Sequence, residues 1–184
     1  MNRATLDRLI SSTGLLIGLV LLAASGGLAY AHSFVHSQVH NQLVAQKITF
    51  PATGSKSLTS LPADDQKQVS KYAGQQLVNG AQAETFADHY IAVHLKEVGG
   101  GKTYAELSSA SLANPTNTQL AAQVQTVFRG ETLRGLLLNA YAFDTMATVA
   151  SVAALGALAA GIILVILALL GFYHASLVKT TKRK

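Results

Sequence analysis

The chain has 184 residues, 49% hydrophobic and only 12% charged, and no cysteine. Soluble proteins average roughly 25% charged residues, so the composition points to membrane-embedded segments, and the missing cysteine excludes disulfides, thiolate metal sites and a cysteine nucleophile. The net charge of +5 sits in the tails, +1 over Arg3, Asp7 and Arg8 and +4 over Lys179, Lys182, Arg183 and Lys184. Residues 32–147 balance eight basic against eight acidic side chains; a nucleic-acid surface needs its basic excess on the folded part, so no nucleic-acid partner is expected.

Residues 1–8 read as a cytoplasmic tail and 9–31 as a first transmembrane helix, uncharged and longer than the ~20 residues a spanning helix requires. "AYA" at 29–31 also fits a signal-peptidase site, but the apolar run exceeds the roughly 7–15 residues of a signal core. An uncleaved anchor is the favoured alternative. Gly14 and Gly18 form a G-x-x-x-G pair, and Ala153, Ala157 and Gly161 repeat the small-residue spacing further on. Small residues let helix backbones approach closely, either within one hairpin or as a docking face for another membrane protein.

"AHSFVHSQVHNQLVAQ" at 31–46 continues the first span as a helical stalk. His32, His36 and His40 recur every four residues and stack on one helix face. Three readings are open: a polar stripe at headgroup level, a pH-responsive cluster, and a metal site. A non-haem iron centre would use two histidines and a carboxylate, with Asp88, His89, His94 and Glu97 as further candidates. No H-E-x-x-H occurs, and His89 and His94 are five apart, a poor spacing for a shared face. No cofactor is expected.

After a Ser/Thr/Gly-rich loop at 48–60, "LPADDQKQVSKYAGQQLV" predicts a helix over 61–78. Pro62, Asp64 and Asp65 suit its first turn, and Val69, Tyr72, Ala73, Gln76 and Leu77 form its buried face. "NG" at 79–80 breaks the chain before a second helix over 81–98, with Phe86, Tyr90, Val93 and Leu95 or Val98 inward. "GGG" at 99–101 ends that helix. "GGGKT" fails as a phosphate loop, because Lys96 stands where the first glycine belongs. Thr103 and Glu106 predict a capping box opening a helix to residue 113, and "NPTN" stops it.

From Thr118 a helical pattern runs unbroken into a second span, placed at 148–174, with 175–184 as a basic cytoplasmic tail. Arg129, Glu131 and Arg134 crowd two turns: Glu131 and Arg134 form either a local i, i+3 pair or, with Arg129, an anchor for a partner's carboxylate or a lipid phosphate. Both tails are basic and the loop residues beside the spans lack Lys and Arg, so both termini are expected in the cytoplasm and 32–147 outside. The fold class is all-α: a transmembrane hairpin whose helices extend into an extracytoplasmic helical bundle. An antiparallel hairpin pairs position n with roughly 177 − n. That brings His32 and His36 opposite Tyr141 and Asp144, where a His–Asp144 contact would orient the ring.

At "LVAQKITFP", "IAVHLKEVGGGKTYAE" and "FRGETLRGLLLNAYAF" the chain resembles an actinobacterial family of small two-span membrane proteins. Some members carry the label aromatic-ring-opening dioxygenase, which has no motif in this sequence to rest on. The resemblance implies the two-span topology and an actinobacterial envelope and supplies no catalytic residues. Without a G-x-S-x-G or any other nucleophile constellation, the expected function is non-enzymatic. It is that of an accessory or assembly subunit of a larger membrane complex, for instance a respiratory or transport assembly, contacting lipid, other subunits or its own copies in the plasma membrane. The alternative is an extracytoplasmic sensor or ligand-binding module acting as a homo-oligomer, although only 11 residues follow Tyr173.

Overall fold

A computed structural model describes residues 3–181. Its elements are α1 (Arg3–Gln46), α2 (Lys56–Thr59), α3 (Ala63–Ser70), α4 (Gly80–Phe86) passing through a π-helical turn (Ala87–Ile91) into α5 (Ala92–Val98), α6 (Tyr104–Ala113) and α7 (Thr118–Thr181). The protein is all-helical, with no strands among the described residues; one isolated antiparallel bridge joins Thr49 to Gln76. The chain divides into two compact units, both drawing on α1 and α7: one of Met1–Phe34 with Met146–Lys184, the other Val35–Thr145.

In the first unit α1 and α7 pair through small residues. A Cβ placed on Gly18 would lie 3.1 Å from the carbonyl oxygen of Gly161, and one on Gly161 would lie 3.1 Å from that of Gly18. Gly14 faces the Cβ of Ala168 at 3.9 Å, and Ala157 is partly buried. The buried Ser25 hydroxyl donates to Ala154 O at 2.9 Å, satisfying a polar group that burial would otherwise penalise. The pairs Gly18–Gly161, Ser25–Ala154 and His32–Ala147 run two positions off the expected 177 − n. Large apolar side chains such as Leu16, Val20, Val152, Leu155 and Ile163 point outward. By length and apolarity both helices suffice to cross a membrane.

The second unit has a core of Val39 and Leu43 from α1, Phe50, Leu58, Leu61, Val69 and Leu77, Ala83, Phe86, Ala87, Ile91 and Leu95, and Leu137 from α7. Phe50 packs edge-on against Phe86 with ring centroids 5.2 Å apart. The helix predicted over 61–78 is shorter than expected, ending at Ser70. Beyond it Gly74 adopts φ +72°, a left-handed conformation that favours glycine, and the chain turns to run against 48–51. Phe50 N–H donates to Gln75 O, Gly74 N–H to Pro51 O and Leu77 N–H to Ile48 O. Those backbone groups are satisfied without a helix, and Leu77 still reaches the core while Gln76, expected inward, is exposed and donates to Val44 O. The predicted loop at 48–60 also contains the single turn α2.

The second expected helix begins at Gly80 because Asn79 caps it, its side-chain oxygen accepting from Gln82 N–H at 2.9 Å. Phe86 and Leu95 are buried, Tyr90 and Val93 half-buried, and Val98 is exposed. Gly100 and Gly101 close it in the left-handed region. The capping box of α6 is complete: Thr103 Oγ1 accepts from Glu106 N–H, and Glu106 accepts from Thr103 N–H at 2.7 Å. Asn117 caps α7 through Leu120 N–H.

Candidate functional site

Side-chain ion pairs of the second unit form at two places. At the first, His36 Nδ1 lies 2.8 Å from Asp144 Oδ1, the contact that the hairpin register led us to expect for one of the stalk histidines. Asp144 is mostly shielded, its side chain 16% exposed against 53% for His36. Its other oxygen accepts from Gly80 N–H at 3.0 Å, so one carboxylate joins α1, α7 and the first turn of α4. A carboxylate there also complements the positive end of a helix. One turn along α1, His40 donates from Nδ1 to Val78 O at 3.0 Å.

His32 belongs to the first unit, where its Nδ1 meets Ala147 O at 2.8 Å. Backbone carbonyl and carboxylate oxygens only accept, so in all three rings Nδ1 is the donor. Sequence spacing placed the three histidines on one face, but each ring is tied to a different acceptor. Among the described residues no group of three or more His, Cys, Asp or Glu side chains is arranged to hold a metal ion.

The second place surrounds the π-helical turn. Such turns insert one extra residue and re-aim side chains. Here Asp88 accepts from Arg134 Nη2 at 2.7 Å and His89 Nδ1 lies 2.8 Å from Asp65 Oδ1. Hydrogen bonding to Asp88 raises the Arg134 guanidinium above its ordinary value, aided by the nearby negative charge of Glu131. The expected Glu131–Arg134 pair is present but longer, at 3.5 Å, while Arg129 is exposed. Sequence spacing found the local partner and missed the stronger one, because Asp88 and Arg134 are 46 residues apart and only the folded chain joins them. The five-residue separation of His89 and His94 does place them differently: His94 Nδ1 donates to Tyr90 O at 2.7 Å and its ring lies against that of Tyr90.

Two open depressions mark the second unit's surface. One, about 340 Å³, is lined by Val98, Asn117, Gln119, Leu120 and Gln123. The other, about 180 Å³, runs between Lys96, Lys102, Thr103, Val127 and Glu131. On α7 a row of apolar side chains faces outward, Phe128 at 49%, Leu136 at 61% and Phe143 at 56% exposure, with Tyr104 against Phe128.

Comparison with known protein families, with characterised proteins and with solved structures returned no match.

Proposed function

We propose that the protein is a non-enzymatic accessory or assembly subunit of a larger bacterial membrane complex, of respiratory or transport type. Both long helices cross the plasma membrane, both termini lie in the cytoplasm, and the helical second unit works on the extracytoplasmic side. The membership suggested by the resemblance to small actinobacterial two-span proteins agrees with this reading.

The observation that carries it is the outward row Phe128, Leu136 and Phe143. These residues precede the second span at 148–174, so lipid tails do not account for them in this topology. Large apolar side chains exposed along α7 ahead of the span favour a partner surface. The hairpin meanwhile uses Gly18 and Gly161 for its own pairing, leaving the outer faces of both helices for lipid or neighbouring subunits.

The sensor alternative draws its support from the depression between Val98 and Gln123, whose amides and aliphatic groups suit a small polar ligand. Affinity purification from native membranes in mild detergent, followed by mass spectrometry, separates the two. Stoichiometric recovery of other membrane subunits is the expected result. Recovery of this chain alone, as a defined homo-oligomer, would overturn the accessory role in favour of the sensor.

A further inference from the structure

We propose that the Asn79–Gly80 peptide unit is a deamidation site, kept inert by the Asp144 carboxylate while α7 stays packed against it. The chemistry of this site does not depend on the accessory role.

The residues themselves set the reaction. Asn79–Gly80 is the one Asn–Gly pair in the chain. A glycine after asparagine carries no side chain, so its backbone nitrogen is open to close approach. Deamidation begins when that nitrogen, having lost its proton to solvent base, attacks Cγ of the Asn79 side chain. A bond forms from Gly80 N to Cγ, the bond from Cγ to Nδ2 breaks, and Nδ2 leaves as ammonia after taking a proton from water. The five-membered succinimide then adds water and opens to aspartate or isoaspartate at position 79.

Three features of the fold oppose the first step. Gly80 N–H donates to Asp144 Oδ2 at 3.0 Å, and a charged acceptor holds the proton on nitrogen, against the amide anion that attack requires. Asn79 Oδ1 accepts from Gln82 N–H at 2.9 Å, which fixes the side chain. The ring also needs Gly80 N nearly in plane with the Asn79 Cβ about the Cα–C bond, and the observed ψ of 170° sets it out of that plane.

Rotation about that bond is obstructed as well. Gly80 is buried, and a Cβ built on it would stand 2.5 Å from the Asp144 Cβ, so α7 leaves little room for the backbone to turn. These restraints hold only while the seam between 79–80 and α7 is closed. Modification therefore tracks opening of the seam rather than time alone. Either product places a second carboxylate near Asp144, and like charges oppose reclosure.

The test follows full-length protein in detergent at neutral pH by peptide mass spectrometry, with a synthetic peptide of residues 76–83 giving the unprotected rate. The parent is expected to deamidate at position 79 at least about a hundredfold more slowly than the peptide, because only the locally opened fraction reacts. Asp144→Ala is expected to react about 10–100-fold faster than the parent, the factor that a hydrogen bond to a charged group represents. Asp144→Asn, which keeps an acceptor without the charge, is expected to react about 3–10-fold faster; it decides the matter if circular dichroism shows Asp144→Ala unfolded. Leu107→Ala truncates a buried side chain on α6 and controls for general loosening. Deamidation of the parent at the peptide's rate, a folded Asp144 variant no faster than the parent, or equal acceleration in Leu107→Ala overturns the proposal.

Discussion

Gly80 lies so close to Asp144 that a Cβ on the glycine would stand 2.5 Å from the Asp144 Cβ and 2.7 Å from its Oδ2. The missing side chain is what lets the Gly80 amide reach the carboxylate that also holds His36. Gly80→Ala is therefore expected to destabilise the second unit by about 1–3 kcal/mol, the usual cost of forcing atoms into a packed site. Gly26→Ala, with nothing within 4 Å of the new Cβ, serves as the control in thermal unfolding followed by circular dichroism. Equal midpoints for the two variants would remove Gly80 from the account.

The core of the second unit makes a similar contrast. Leu77 is fully buried although it follows α3 in an extended segment, and Leu77→Ala should cost about 2–5 kcal/mol. Leu112, 81% exposed, should change stability by no more than about 0.5 kcal/mol when replaced by alanine. Denaturant unfolding in detergent measures both.

How far the sequence reaches is visible at these residues. The cap pair Thr103 and Glu106 and the long helices were legible because caps and uninterrupted apolar runs are local patterns. The end of α3 was not, since the apolar spacing through Leu77 suits a helix as well as a segment paired with 48–51; the decisive events are the left-handed Gly74 and the bonds to Ile48, Phe50 and Pro51. His36–Asp144 was reachable because two antiparallel helices impose a register. Asp88–Arg134 and Asp65–His89 depend on a π-helical turn, which leaves no periodic signature.

The α6 cap should respond to acid. Thr103 holds the Glu106 carboxyl below its ordinary value of 4.5, first by its backbone N–H and then by its hydroxyl. A carboxylate lowered in the folded state contributes stability above its unfolded value and loses it as pH falls through the folded one. Amide protection factors over Tyr104–Ala113, taken relative to intrinsic exchange at each pH, should fall below about pH 4.5, and Glu106→Gln should remove that fall. An unchanged exchange profile in the variant would contradict the cap's contribution.

Asp88 and Arg134 are each about one-third exposed, so their pairing should be modest. A double-mutant cycle with Asp88→Asn and Arg134→Gln is expected to return a coupling of about 0.2–1 kcal/mol, read from unfolding midpoints, with salt lowering it.

If the outward face of α7 docks a partner, Phe128→Ser, Leu136→Ser and Phe143→Ser together should strip co-purifying subunits from the protein while its unfolding midpoint stays near that of the parent. Retention of those subunits by the triple variant would place the docking surface elsewhere.

The central claim is the hairpin topology, and the cysteine-free sequence allows it to be tested without background. Single cysteines at Thr5 and Ser109, both exposed positions, are reacted in intact cells with a membrane-impermeant maleimide. The account predicts labelling of Ser109→Cys in intact cells and of Thr5→Cys only after permeabilisation; labelling of Thr5→Cys in intact cells, with Ser109→Cys protected, would contradict it.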